Sequence, residues 1–303
     1  MNHTLSTEKL LQTVPIAQIK HIVDNTVYTV LEKFNLCGSI KVKPVYWMLK
    51  KALERGDLSE GNTILEASSG NTAIALSYLG GIFGFPVTLI VPADTGSCKK
   101  NLMRSYGAGL IEVDGVTDDC IDLRNSMVRK DPSKYYVPDQ FNNKDNMEAH
   151  YHLTAPYIIK QLGKIDFFVA GLGTTGTILG TGKYLKEHFP ETKIIAINPL
   201  DRVEGIKNYH TVRNIGQFYK DYNYLIDEVI DVTFENDVVP GLNDYLSEGY
   251  FNGISSGAIL SGTKRFLNGK KGLTGVVVAP DGGDYYLSEI FSLLDPKQIK
   301  GCK

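Results

Sequence analysis

The sequence predicts an α/β fold with mostly parallel sheets. Short apolar runs of strand length alternate with longer amphipathic stretches along the chain, the pattern of strands joined by crossover helices. Turns rich in glycine, serine and threonine fall where strands end and helices begin, which is where ligands bind in such folds. The composition is that of a folded globular chain, with 43% hydrophobic and 22% charged residues among 303. A chain of this length buries a large core, as one long domain or as two lobes.

The first expected helix is 44–55, with Pro44 in its first turn, where a missing N–H costs little. Asn62 to Ala67 reads as a strand, and the Ala- and Leu-rich stretch from Thr72 opens a helix over 72–83. No charged residue occurs between Glu66 and Asp94, a run long enough to cross a bilayer. Gly80, Gly81, Gly84 and Pro86 break that run, so it divides into the helix and a strand over 86–91. Further strands are expected at 109–113, 134–138, 166–171, 193–198, 226–232 and 274–279. Helices are expected at 98–106, 117–130, 147–162, 176–188, 234–247, 256–267 and 284–292. No internal repeat or low-complexity linker interrupts the series.

The net charge of −2 argues against a nucleic-acid binder, which carries a basic excess or stripe. Cys37, Cys98, Cys120 and Cys302 are scattered with no CxxC pair. Neither a zinc site nor a disulfide framework is expected, and a reducing compartment is the default. The N-terminus lacks the apolar core of a signal peptide, so a cytoplasmic protein is expected.

The most informative stretch is Glu66-Ala-Ser-Ser-Gly-Asn-Thr-Ala73, a strand end, a polar turn and a helix start. Its hydroxyls, amide and helix-end N–H groups suit a carboxylate or phosphate. A second turn, Gly171-Leu-Gly-Thr-Thr-Gly-Thr177, follows the apolar strand over 166–171 and also opens a helix. Its spacing differs from a dinucleotide fingerprint and no lysine follows as in a triphosphate loop, so a compact phosphate monoester fits at least as well. In Cys37-Gly-Ser-Ile-Lys-Val-Lys-Pro44, Lys41 lies just before a helix N-terminus. That positive end favours the neutral amine, the nucleophilic form. Gly253-Ile-Ser-Ser-Gly-Ala258 is another strand-to-helix turn, whose serine could bond a heterocycle nitrogen. Asp139-Gln-Phe-Asn-Asn-Lys-Asp-Asn146 is an amide-rich approach to a helix, and Pro280-Asp-Gly-Gly-Asp-Tyr-Tyr-Leu-Ser288 turns into the last one. Taken singly, the serine turns read first as helix caps and Lys41 as a solvated surface lysine.

Taken together and in this order, the motifs resemble one family over residues 13 to 290. It is the cysteine synthase and cystathionine β-synthase branch of fold-type II pyridoxal-phosphate enzymes. Within the branch, Asp139-Gln-Phe-Asn-Asn143, Asp145-Asn146, Ala149-His-Tyr151, Gly173-Thr-Thr-Gly-Thr177 and Glu204-Gly-Ile-Lys-Asn-Tyr209 are similar to cysteine synthase B, the O-acetylserine sulfhydrylase B type.

The resemblance implies a tryptophan synthase β-like fold of two α/β lobes, with pyridoxal 5′-phosphate in the cleft between them. Residues 1–40 with 147–303 would form the larger, cofactor-binding lobe, and 41–146 the smaller, mobile, substrate-clasping lobe. Lys41 matches the Schiff-base lysine that also carries the α-proton. Gly173, Thr174, Thr175, Gly176 and Thr177 match the phosphate cup. Asn71 matches the contact to the ring hydroxyl, and Ser255 the hydroxyl on the pyridine nitrogen. Ser68, Ser69, Asn71, Thr72 and Gln140 match the groups that clasp the substrate carboxylate.

The implied reaction is β-replacement on an O-activated L-serine, O-acetylserine or O-phosphoserine, through an aminoacrylate. Sulfide or thiosulfate would add, giving L-cysteine or S-sulfocysteine. Alternatives within the family are another nucleophile (a cystathionine, lanthionine or diaminopropionate type) and a cysteine lyase that releases sulfide. From a different class, a low-activity cofactor-binding protein would act through a partner, although retention of Lys41, Asn71 and Gln140 argues against it. Small-molecule substrates and a homodimer are expected, with no nucleic acid, membrane or metal partner.

The chain also departs from the family pattern. Val42 and Lys43 stand where the family has aspartate and arginine. Thr95-Gly96 replaces a common Met-Ser pair, and Tyr285 replaces an arginine. Lys207-Asn208-Tyr209 replaces Arg-Arg-Trp. These changes surround the catalytic atoms without removing them, and they leave the donor and nucleophile open. Cys37 reads as a packing cysteine or as a redox-sensitive thiol, and neither His150 nor His152 is assigned a metal.

Overall fold

A computed structural model describes residues 6–212 and 216–293. Its strands in chain order are β1 (Ile16–Gln18), β2 (Thr26–Leu31), β3 (Thr63–Ala67), β4 (Val87–Pro92), β5 (Gly109–Val113), β6 (Tyr135–Tyr136), β7 (Phe167–Gly171), β8 (Lys193–Pro199), β9 (Glu228–Val232) and β10 (Thr274–Ala279). They form a six-stranded sheet ordered β1-β2-β10-β7-β8-β9 and a four-stranded sheet ordered β5-β4-β3-β6. Every pairing is parallel except β1 with β2. The chain divides into two units, one running up to Ile40 and again from Met147, the other Lys41–Asn146.

The first unit contains the six-stranded sheet. Its central strands are near-continuous apolar runs because both faces are covered. Alternate residues serve opposite cores, as the two-residue period of a strand requires. Phe167, Val169, Ile195, Ile197 and Val277 belong to one buried cluster, while Phe168, Ala170, Ile194, Ala196 and Val276 belong to another. Each such buried Phe, Ile or Val side chain contributes roughly 1.5–3 kcal/mol.

The second unit contains the four-stranded sheet. Leu65, Ala67, Ile90 and Cys120 form a small cluster between this sheet and the helix Thr117–Lys130. The charge-free run folds as helix Asn71–Phe83 followed by β4. No described helix is long and apolar enough to cross a membrane.

The expected helices and strands are present with end shifts of a few residues, and further features appear, among them short helices at Thr7–Leu10 and Gln217–Tyr222. Strands β1 and β2 add an antiparallel edge. The expected helix 147–162 starts at Asp145 and carries a π-helical turn, His150–Thr154, before Ala155–Leu162. That wide turn lies against helix Gly176–His188, where a Cβ on Gly180 would sit 2.1 Å from the Met147 carbonyl oxygen. The expected helix 234–247 likewise opens as a π turn, Phe234–Val238. The last helix opens as a 3-10 turn, Gly283–Tyr286. Cys302 lies outside the described residues.

Candidate active site

In the first unit, β7 ends at Gly171 and the chain enters helix Gly176–His188 through the expected threonine turn. Thr175 takes the N-cap place in a left-handed conformation, φ 68°, and makes no side-chain capping bond. Its hydroxyl donates instead to the Thr174 carbonyl at 2.6 Å. A Cβ on Gly173 would lie 2.8 Å from the Gly205 carbonyl oxygen, so only glycine allows this approach of the two backbones. Tyr209 secures the turn from the same segment, its hydroxyl donating to the Gly173 carbonyl at 2.9 Å. Burial pushes the Tyr209 phenol above its ordinary range, so it stays a neutral donor.

Gly205 also links this turn to the serine motif. With φ +92°, it packs so that a Cβ would lie 3.3 Å from Ser255 Oγ. Helix Ile254–Leu267 is capped by Gly253 without a side-chain bond, so neither Ser255 nor Ser256 is spent as a cap. Ser255 is 2% exposed, and the buried Ser256 Oγ has no hydrogen-bond partner among the described residues. Gly205 thus links the turn that holds Gly173, Thr174, Thr175, Gly176 and Thr177 to Ser255, a connection the sequence does not announce. His150 was likewise unassigned: its Nε2 lies 3.3 Å from Thr177 Oγ1 and its Nδ1 lies 2.9 Å from Thr154 Oγ1.

In the second unit, Lys41 is the N-cap of helix Val42–Arg55, αR in conformation and half-buried. Lys43, in the first turn, is fully buried. Ser68 and Ser69 follow β3, and Gly70 caps helix Asn71–Phe83 without a side-chain bond. The serines are therefore not caps. The loop carrying Gln140 folds back onto this helix start. Thr72 Oγ1 donates to Gln140 Oε1 at 2.5 Å, joining two buried residues 68 positions apart. Ser68, Ser69, Asn71, Thr72 and Gln140 are thereby gathered at one helix N-terminus, where the macrodipole favours an anion.

Glu66 was read only as a strand residue. It is 2% exposed, and the three groups hydrogen-bonded to its carboxylate oxygens are all donors. Oε1 accepts from the Ala67 N–H at 2.9 Å and from Arg124 at 2.7 Å, and Oε2 accepts from the Asp139 N–H at 3.1 Å. Burial pushes this carboxyl up, and the Arg124 guanidinium and the Ala67 amide act against that rise. The only sequence cue was an acidic residue inside an apolar strand.

Cys37 is half-buried, with φ 49° and its thiol pushed up to about 12 by burial. Its carbonyl accepts from the Tyr285 hydroxyl at 2.7 Å. A packing role fits these facts better than a reactive thiol.

Residues 8–281 match the model of the pyridoxal-phosphate dependent enzyme family, and the chain belongs to it. It is an enzyme of the cysteine synthase type within that family. It is 36% identical to a cysteine synthase of Aquifex aeolicus over 296 residues, covering 92% of this chain and 90% of that one. It is 35% identical to cysteine synthase B of Pseudomonas aeruginosa, covering 93% and 95%. Among solved structures, a cysteine synthase from Entamoeba histolytica superposes with a TM-score of 0.89 at 28% identity, covering 99% and 95%. A hydrogen sulfide-producing enzyme from Fusobacterium nucleatum superposes with a TM-score of 0.86 at 29% identity, covering 94% and 99%. The fold is the fold-type II pyridoxal-phosphate fold, and the enzyme depends on that cofactor.

The residues present fit the cofactor. The backbone approach of Gly173 to Gly205 leaves no room for a side chain, and the N-cap residue Thr175 of helix Gly176–His188 makes no side-chain capping bond. Such a start suits a phosphate. A serine hydroxyl beside Gly205, unused in capping, suits a heterocyclic nitrogen.

Proposed function

We propose that the enzyme carries out β-replacement on an O-activated L-serine, with O-acetylserine as donor and sulfide or thiosulfate as nucleophile. The observation that carries this reading is the buried Thr72–Gln140 pairing at a helix start without a side-chain cap, an arrangement that suits a carboxylate. The similarity to a solved O-acetyl serine sulfhydrylase of Entamoeba histolytica supports the choice of donor.

Pyridoxal phosphate, when bound, supplies an aldehyde that takes up an amine and a conjugated ring that accepts the electrons of a bond broken at Cα. The roles of the chain are these. Gly173, Thr174, Thr175, Gly176 and Thr177 bind the phosphate, and Ser255 hydrogen-bonds the pyridine nitrogen. A serine hydroxyl does not protonate that nitrogen as a carboxylic acid would, which favours prompt loss of the β-substituent over racemisation. Asn71 bonds the ring hydroxyl. Ser68, Ser69, Asn71, Thr72 and Gln140 hold the substrate carboxylate. Lys41 would hold the cofactor at rest and would carry the proton at the substrate Cα; its N-cap position favours the neutral amine that this needs. A C2 homodimer in the cytoplasm is the assembly we propose on general frequency; light scattering on the purified protein tests it.

The test is a visible absorption spectrum before and after O-acetylserine. The expected result is a cofactor band that moves with O-acetylserine and is restored by nucleophile, with sulfide and thiosulfate fastest among those compared. A band unmoved by O-acetylserine would sink the acetyl donor, with phosphoserine, serine and cysteine as the next substrates. A second reading, release of sulfide from L-cysteine, is favoured by the similarity to the hydrogen sulfide-producing enzyme. Sulfide evolved from cysteine alone at a rate matching or exceeding cysteine synthesis would establish it instead.

A further inference from the structure

We infer that Glu66, held by Arg124, is a positioning residue that fixes the two arms of the carboxylate clasp against each other. The inference rests on the clasp reading proposed above. Ala67 immediately precedes Ser68, and Asp139 immediately precedes Gln140. The Glu66 carboxylate accepts the N–H of both Ala67 and Asp139, at 2.9 and 3.1 Å. One buried side chain therefore bridges the residue before the serine turn to the residue before the glutamine, across 73 positions of sequence. Asp139 sits in the left-handed region at φ 47°, a conformation that needs support when the residue is not glycine. Beyond it, the Gln140 carbonyl accepts from Asn146 Nδ2 at 2.7 Å and its side chain accepts from Thr72. Gln140 is thus tied by its own carbonyl and amide and by the residue before it.

Arg124 completes the bridge. It approaches from helix Thr117–Lys130 and donates to Glu66 Oε1 at 2.7 Å, while its Nε and second Nη donate to Asn125 Oδ1 at 3.2 and 3.1 Å. The guanidinium compensates the buried charge that the two amides need as acceptor. All three groups hydrogen-bonded to Glu66 are donors, so an amide in its place would turn an N–H toward one of them. Misplacement by about 1 Å at such a site can cost on the order of a hundredfold in rate.

The test compares two ligands of the holoenzyme by the shift each causes in the cofactor band: L-serine, and ethanolamine, which lacks the carboxylate. Wild type should bind L-serine more tightly. Glu66→Gln should cut that preference about tenfold, with ethanolamine binding and the resting cofactor band unchanged. In turnover, the KM for the donor should rise about as much, with a smaller change in kcat. Arg124→Lys, which keeps the charge and loses the fork, should give a partial loss and serves if Glu66→Gln does not fold. Thr72→Ala separates the two levels of the argument. If Thr72→Ala abolishes the preference while Glu66→Gln, or Arg124→Lys in its place, retains it in full, Glu66 is not a positioning residue and the clasp stands. If wild type shows no preference, or Thr72→Ala leaves it intact, the clasp reading itself fails.

Discussion

At Cys37 a non-glycine residue adopts a left-handed conformation four positions before Lys41, and the Tyr285 hydroxyl holds its carbonyl. The thiol is pushed up to about 12 by burial. At pH 8 the thiol therefore stays overwhelmingly protonated. Iodoacetamide at pH 8 should label the exposed Cys98 well before Cys37, and the Cys37 rate should climb about tenfold per pH unit up to pH 10. Equal labelling of the two at pH 8, read by peptide mass spectrometry, would restore the redox-sensor reading. Gly173 gives a second single-residue prediction. Gly173→Ala would place a Cβ 2.8 Å from a backbone oxygen that cannot swing aside. Cofactor affinity, measured by equilibrium dialysis, should fall at least about tenfold.

Between elements, the close approach of helix Gly176–His188 to the π turn His150–Thr154 depends on Gly180. A methyl there would meet the Met147 carbonyl at 2.1 Å, so Gly180→Ala should cost about 1–3 kcal/mol in denaturant unfolding. A ΔΔG near zero would mean that the helices part easily. Glu248, which follows helix Val239–Ser247, ties it to the segment after β1 by accepting the His21 N–H at 3.0 Å and lying 2.6 Å from its Nδ1. Burial disfavours the charged carboxyl, but the Lys20 and His21 amides and the His21 ring outweigh it, so its pKa lies below the usual value. The folded value is lowered, so this stability is present above the unfolded value of about 4.3 and is lost as pH falls through the folded one. The Tm of wild type should therefore drop more steeply than that of Glu248→Gln from about pH 5 downward; parallel curves would contradict the link.

Across the whole molecule, the parts that sequence makes legible are those set by period and by turn chemistry. The inner parallel strands β4, β7, β8 and β10 announce themselves because burial on both faces demands near-continuous apolar runs, whereas the edge strands β5 and β9 are largely exposed. Strand β1 has three residues, none fully buried, too few for a period to register. Strand β2 hides its polar residues as well as its apolar ones: Thr29 is fully buried, its hydroxyl 2.9 Å from that of Tyr245. Its β-branched density was the available signal. The candidate site follows the same division. Its turns were legible because glycine and hydroxyl residues repeat at strand ends. Glu66, Arg124, Gly205 and Tyr209 were not, because each acts through a partner far away in sequence.

The central claim is that Lys41 carries the proton in a cofactor-dependent β-replacement. The most direct measurement is cysteine formation from O-acetylserine and sulfide by Lys41→Ala loaded with pyridoxal phosphate, beside wild type. The expected result is a variant that retains cofactor through the 173–177 turn yet forms cysteine at least about a thousandfold more slowly. Cysteine formation within a few-fold of wild type would contradict the account.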